Sequence, residues 1–312
     1  VTTRQRRGRG RDAHRDDAAE AQRTVDSGTA SLWWDGPRAT LFLDGVESSC
    51  VDVDHPGQLE FEYMQQMTQA LSAWLPEPAP VRALHLGAAA CALPWAWDVR
   101  RPGSRQVAVE VDAALAAAVR EWFPLPRSPR LRIRVGDGRG VLEAAREGSC
   151  DVVVRDAFDH GRVPGSLLTA GAVRAAARAL RPGGLYLANA VHGGPHDARP
   201  DVAAVCSVLP DACAVWDPKV GRAARQGNVV IVAQKPDPSW EPGAGVHPDP
   251  GRAGPPRMDP EELDRLLRRL PLPARAVRGP ALERWLAGAR PREDAPAGPG
   301  PGLTPPGLPG AG

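Results

Sequence analysis

The sequence predicts an alternating α/β fold on a mostly parallel sheet, and three observations carry the prediction. Short aliphatic runs recur between Val81 and Ala233, segments with apolar residues at helical spacing separate most of them, and the early runs stop at a glycine or an acid. Those stops are Gly87, Glu110, Gly136-Asp137 and Asp156. In an open parallel sheet the carboxyl ends of the strands form the ligand crevice, so polar residues that recur there are candidates for one shared site.

A chain of 312 residues with 42% hydrophobic content can bury one sizeable core with a small appendage. The formal charge is +2, and six arginines against one acid fall in the first fifteen residues, so the basic character lies in a leader. A nucleic-acid-binding domain carries its charge on the folded part, which argues against such a partner. The five cysteines are odd in number and show no CxxC spacing, against a disulfide framework or a zinc site and for a reducing compartment. No metal is expected. With no run of eighteen apolar residues, the expectation is a cytoplasmic protein without a membrane span.

Residues 1–30 are polar and without periodicity, and are expected to be a disordered basic leader. Residues 31–57 form an N-terminal β-hairpin region, since Ala39 to Val53 reads as two strands around the turn signal Asp44-Gly45. Leu59, Tyr63, Met67, Leu71 and Trp74 then mark an amphipathic helix that Pro76 ends. The α/β domain, 58–236, continues with strands at Arg82–Leu86, Gln106–Glu110, Leu131–Val135, Asp151–Arg155 and Leu185–Asn189. Helices are expected at Ala92–Val99, Ala113–Trp122 capped by Asp112, Arg139–Arg146, Ser166–Leu180 and Ala198–Val208. Ala212–Trp216 and Val229–Ala233 close the sheet as a pair with no helix between them. Seven strands ending in such a pair favour a Rossmann-like methyltransferase-type sheet over a dinucleotide-binding one. Residues 237–312 are Pro/Gly-rich, with short helices near Pro260–Leu270 and Ala281–Gly288, and a chain from Ser31 to Pro236 is expected to fold without either flank.

The first strand-to-helix turn reads Gly87-Ala88-Ala89-Ala90-Cys91, and lacks the glycines that a dinucleotide pyrophosphate needs. Each alanine disfavours positive φ, so the loop can be tight yet approach a ligand less well. Glu110 ends the second strand, where a carboxylate can accept both ribose hydroxyls. Asp137, between Gly136 and Gly138, could receive an adenine amino group or serve as a helix N-cap. Asp156 and Asp159 flank Ala157-Phe158 and could attract a sulfonium or an ammonium, although Asp159-His160-Gly161 also reads as a plain turn. His85, His192 and His196 lack ligand spacing and read as structural.

Taken together these residues resemble the spermidine synthase family, the polyamine aminopropyltransferases, and especially its divergent members. The resemblance runs from Trp33 to Lys235 and rests on Leu41-Phe-Leu-Asp-Gly45, Val109-Glu-Val-Asp112, Gly136-Asp137, Asp151-Val-Val-Val-Arg-Asp-Ala-Phe-Asp159 and Gly227-Asn-Val-Val-Ile-Val-Ala233. It implies a transferase moving an aminopropyl or methyl group from decarboxylated S-adenosylmethionine or S-adenosylmethionine to a putrescine-like amine, with a homodimer compatible. Gly87, Ala89, Glu110, Asp137 and Gly138 would hold the nucleotide, and Asp156 with Asp159 would serve the amine. A non-catalytic nucleotide-binding or interaction protein that keeps the fold is the alternative. The chain departs from the family at the loop alanines, around Glu47-Ser48 where a glutamine is expected, at Phe61-Glu62-Tyr63 where Tyr-His-Glu is expected, and at His160 where a proline is expected.

Overall fold

A computed structural model of the protein describes residues 21–222, 225–240 and 256–294. Most of the leader and much of the Pro/Gly-rich tail lie outside the described residues. The N-terminal unit is a four-stranded antiparallel sheet in the order β1 (Ala21–Val25), β2 (Gly28–Asp35), β3 (Arg38–Leu43), β4 (Val46–Asp52). The β3–β4 hairpin is the one the sequence predicts. Its turn residues Asp44 and Gly45 both have positive φ, 46° and 74°, as the tight turn that matches strand twist requires.

Strands β1 and β2 correct the expectation of disorder as far as residue 30. In β1 the exposed positions are the polar Gln22 and Thr24, and β2 exposes Trp33, so neither strand shows a clean alternation, while Val25, Ala30 and Leu32 are buried. The turn between them docks on the main domain. The Asp26 carboxylate accepts the amides of Ala113 and Ala114 at 2.8 and 3.3 Å, and Ser27 donates from its amide and hydroxyl to Asp112 at 2.8 and 2.7 Å. The Asp26 bonds satisfy donors at the start of α3 (Ala113–Trp122) that would otherwise have no partner within the helix, and the Ser27 bonds hold the Asp112 cap in place.

The main sheet has eight strands in the order β12-β10-β11-β9-β8-β5-β6-β7. Strands β5 (Arg82–Leu86), β6 (Arg105–Glu110), β7 (Leu131–Val135), β8 (Cys150–Arg155) and β9 (Leu180–His192) are parallel. Strand β11 (Gly227–Gln234) runs antiparallel to both β9 and β10 (Asp211–Trp216), the helix-free pair expected at the end of the sheet. The eighth strand, β12 (Arg275–Arg278), pairs with β10 and was not predicted, because Arg-Ala-Val-Arg carries no apolar run. Central β8 has Val152, Val153 and Val154 at no more than 1% exposure, which is why it reads as a continuous aliphatic run.

Helices α1 (Glu62–Trp74), α2 (Ala92–Arg100) and α3 cover one face, while α4 (Gly138–Glu143), α5 (Ala170–Ala179) and α6 (Arg199–Val208) cover the other. Helix α5 is preceded by a 3-10 turn, Gly165–Leu167, so the helix starts four residues later than the sequence suggests. Helix α1 runs from the carboxyl ends of the strands, where Tyr63 lies, to Trp74, whose indole donates to the Gly183 carbonyl at 3.0 Å.

The described part of the tail adds core. Helix α7 (Pro260–Arg268) packs on α1 with Leu263 and Leu267 buried, and α8 (Gly279–Leu286) packs on α6 with Leu282 buried. Beyond α8, Asp294 receives both terminal nitrogens of Arg139 at 3.0 Å and the Thr169 hydroxyl at 2.5 Å, tying the chain back to α4 and α5. A chain cut to 31–236 would lose β1, part of β2 and all of these elements. It is expected to unfold at a lower urea midpoint than the full chain, or to aggregate. Leu267→Ala alone should cost about 2–5 kcal/mol in the same denaturation measurement.

Candidate active site

The strand order reverses between β5 and β8, and their carboxyl ends meet there. The Asp156 amide donates to the Leu86 carbonyl at 2.8 Å. Gly87, at φ +94°, lies so close to the next strand end that an added Cβ would sit 2.3 Å from the Asp156 carbonyl oxygen. Only glycine fits that position. The close approach is therefore made to the Asp156 backbone. Gly138 meets nothing so near, since a Cβ there would lie 3.6 Å from the Leu167 side chain.

The half-buried Asp156 carboxylate is held on two sides. Tyr63 on α1 donates its hydroxyl to Oδ2 at 2.9 Å, and Asn189 on β9 donates its amide to Oδ1 at 3.0 Å. Burial pushes this carboxyl above the usual aspartate range, and the bonds from Asn189 and Tyr63, with the Arg155 charge, pull it partly back. Burial and the neighbouring Asp156 charge hold the Tyr63 phenol well above its ordinary value, so it stays a donor. Below this layer the guanidinium of Arg155, 1% exposed, donates to Asp201 on α6. Burial raises the Asp201 carboxyl and Arg155 offsets part of that rise.

Asp159 is placed differently. Its side chain is 71% exposed, its backbone closes a tight turn with Arg162, and its carboxylate lies 3.6 Å from the His160 ring. No hydrogen bond joins it to Asp156 among the described residues. Phe158 beside it is also exposed.

Glu110, 9% exposed at the end of β6, faces the first loop. Its Oε2 accepts the Ala88 and Ala89 amides at 3.3 and 3.2 Å, and Oε1 accepts the Asp112 amide at 3.2 Å. Burial raises its carboxyl, and these three amides counter the rise. The loop carries the strain that its alanines imply. Ala89 has φ +41° and Cys91 φ +58°, a region where a Cβ costs about 1–2 kcal/mol. Asp137 caps α4 by accepting the Gly140 amide at 2.6 Å, and remains exposed. The histidines behave as structural groups where the geometry speaks to them: His85 is buried against Gln106 at 3.0 Å, and burial drops its pKa to about 4.

Four residues at this crevice escaped the sequence reading. Tyr63 was hidden by counting Phe61-Glu62-Tyr63 as a loss of the family's tyrosine, whereas its hydroxyl reaches Asp156. Asn189 is a lone polar residue inside the apolar run of β9, and that is the signal that could have found it. Val111 and Val135 are 70% and 51% exposed beside Glu110, with Val135 its cross-strand neighbour. Apolar residues directly flanking strand-end acids were the available clue. Among the described residues no group of three or more His, Cys, Asp or Glu is placed to hold a metal ion, and no helix is long and apolar enough to cross a membrane.

A sheet of this order, with a glycine turn and carboxylates at the ends of its parallel strands, defines an α/β protein of the methyltransferase type with its ligand crevice at the switch point. The comparisons make the likeness more particular. No protein-family model matches the chain. It is 29% identical over 207 residues to a polyamine aminopropyltransferase of Chromobacterium violaceum, covering 64% of this chain and 74% of that protein. It is 28% identical over 160 residues to spermidine synthase 1 of Pisum sativum, covering 48% and 44%. In structure it is similar to a probable spermidine synthase from Corynebacterium glutamicum, with a TM-score of 0.76, 27% identity, and 89% of this chain and 97% of that one covered. Human methyltransferase-like protein 13, in complex with SAH, shares the fold at a TM-score of 0.50 and 20% identity, with 75% and 96% covered. The resemblance to spermidine synthases read from the sequence thus recurs in both sequence and structure comparisons.

The strained loop generates a prediction. Ala89→Gly should stabilise the protein by up to about 1 kcal/mol, because it removes the left-handed penalty of a Cβ. Urea denaturation of the two proteins checks it.

Proposed function

We propose that the protein is a spermidine synthase-like transferase that moves an aminopropyl group from decarboxylated S-adenosylmethionine to an amine acceptor. The observation that carries this is the Asp156 carboxylate, fixed by Tyr63 and Asn189 at the switch point and raised by burial toward the range of a general base. The names of the sequence relatives, polyamine aminopropyltransferase and spermidine synthase 1, support the same reaction class.

The residues present fit an adenosyl group. Glu110 presents a mostly buried carboxylate with lone pairs beyond those used by the three amides, suited to ribose hydroxyls. Val111 and Val135 beside it offer apolar surface to a flat base, and the Asp137 oxygen not used in capping can accept an amino group. The donor supplies a carbon made electrophilic by the adjacent sulfonium and a neutral thioether as leaving group. Asp156 orients the amine and takes its proton as the N–C bond forms and the C–S bond breaks with its electron pair remaining on sulfur. Asp159, more solvated, serves to attract the cationic amine.

One observation favours a second reading, a nucleotide-binding protein without turnover: the left-handed Ala89 and Cys91 stand where a glycine-rich loop would be unstrained. The experiment that separates the readings is calorimetry with S-adenosylmethionine, its decarboxylated form and methylthioadenosine, together with methylthioadenosine release in the presence of putrescine. Binding and release are expected in wild type. Binding with no release for any amine would leave the second reading, and binding of none of the three ligands would reject the nucleotide site. Glu110→Ala should weaken adenosyl binding about ten- to a hundredfold, the worth of a hydrogen bond to a charged group.

The variants should then divide the two aspartates. Asp156→Asn should abolish transfer with nucleotide affinity within a few fold, and Asp159→Asn should act on amine KM. The reverse outcome would exchange their roles. A pH profile adds an independent test. Since the carboxylate is the working form and its pKa is raised, kcat/KM should fall on the acid side at a pH above the ordinary aspartate value of about 3.9. Tyr63→Phe deletes a bond that favours the charged form, so it should move that acid limb to higher pH.

A further inference from the structure

Consecutive side chains of a strand point to opposite faces, and the end of β8 places charge on both. Asp156 meets Tyr63 of α1 on one face, while Arg155 meets Asp201 of α6 on the other. Arg155 and Asp201 are sealed from water, at 1% and 4% exposure. They touch at one point, Nη2 to Oδ2, and Nε and Nη1 of Arg155 have no hydrogen-bond partner among the described residues. An arginine stays protonated, and its charge keeps Asp201 ionised against the cost of burial. A buried pair of this kind is a poor source of stability, since apolar residues of similar volume would serve the core as well. Its placement therefore calls for another account. Buried charges are screened far less than exposed ones, and the Arg155 charge pulls the Asp156 carboxyl below the value that burial alone would give it.

We propose that Asp201, acting through Arg155 from the opposite face of the sheet, is a positioning residue that sets how readily Asp156 takes the proton of the amine, which rests on the transferase reading above. Arg155 without a counter-charge would hold Asp156 ionised and make it a weak base. Asp201 opposes that charge without touching the crevice. The other groups that face these charges are few. Tyr63 and Asn189 bond the Asp156 carboxylate from α1 and β9, and the Gly87 turn presents only backbone from the β5 side. Tyr186 of β9, kept uncharged by burial, faces the ion pair, and the Arg292 charge beyond α8 acts on Asp201. Two substitutions separate the charges. Asp201→Asn keeps an oxygen for Arg155 and removes the opposing charge, so Asp156 should stay ionised to lower pH. Arg155→Met combined with Asp201→Asn removes the cation beside Asp156 as well, so the carboxylate should protonate at a higher pH than in wild type.

The test follows the titration of Asp156 in two ways. Carboxyl-carbon NMR of the unliganded protein with labelled aspartate reads it directly, its resonance identified by loss in Asp156→Asn. The acid limb of kcat/KM for putrescine with decarboxylated S-adenosylmethionine reports the same free-enzyme group. In both, the midpoint should fall by about one pH unit in Asp201→Asn and rise by up to about one in the double variant, the order of effect of a unit charge in a protein interior. Should Asp201→Asn not fold, because it buries an uncompensated charge, the double variant buries none and decides alone. A midpoint that stays at the wild-type pH in the double variant, whatever happens to its rate or urea midpoint, would overturn the proposal and reduce the pair to packing. A midpoint that rises in Asp201→Asn would overturn it equally. Wild type that binds an adenosyl ligand yet releases no methylthioadenosine would reject the transferase reading, while the NMR midpoints would still decide whether Asp201 and Arg155 govern Asp156.

Discussion

The site depends on one steric fact, the contact between the Gly87 turn and the end of β8. Leu86 and Asp156 are joined by a backbone hydrogen bond of 2.8 Å, and no side chain fits at Gly87 because the Asp156 carbonyl occupies its space. That contact brings the strand-end aspartate against the first loop, where Glu110 also reaches through the Ala88 and Ala89 amides. Two carboxylates from strands on either side of β5 are thereby held around a single glycine. Any larger residue would push the turn off β8 and separate the Glu110 and Asp156 carboxylates.

Around Asp156 the charge is arranged in layers. The carboxylate is half-buried with a tyrosine hydroxyl and an amide as neutral donors, and the positive charge that acts on it is Arg155, already paired with Asp201 on the helix behind it. A direct ion pair would have lowered the Asp156 pKa and made the carboxylate a poor base. Neutral donors and a compensated cation instead leave burial as the leading influence, and the group stays raised. Burying Arg155 and Asp201 together has its own desolvation cost, and two of the guanidinium nitrogens lack a partner among the described residues. The pair is better understood as setting the potential under the site than as a source of stability.

Much of the fold was legible because burial and pattern coincide. Arg82–Leu86 and Leu131–Val135 stand where the aliphatic runs place them, and the Asp112 cap starts α3 as its residue type predicts. The missed strands β1 and β12 are polar and lie at sheet edges, where one side chain in two faces solvent and the backbone needs a partner on one side only. The tail helices lie in a Pro/Gly-rich stretch that shows little of their packing, yet Leu263 and Leu267 are buried where α7 meets α1. At the site the strand-end acids could be found because each ends a run. Tyr63 could not, because its role depends on α1 bringing it to a residue 93 positions away, and no local pattern encodes that.

The loop alanines take on meaning only with Glu110 beside them. Positive φ at Ala89 and Cys91 is unfavourable, so the loop holds this shape because something offsets the strain. Glu110 accepts two successive loop amides, and Gly87 anchors the other end on Asp156. The carboxylate best placed for a ribose is thus also the support of the loop that would surround it. A ribose hydroxyl that shares Glu110 leaves those amides paired, whereas one that displaces them releases the strain and opens the turn. In a glycine-rich loop the two events would be independent; under the proposed function, nucleotide contact at Glu110 and the conformation of the strained alanine loop would be coupled through one side chain.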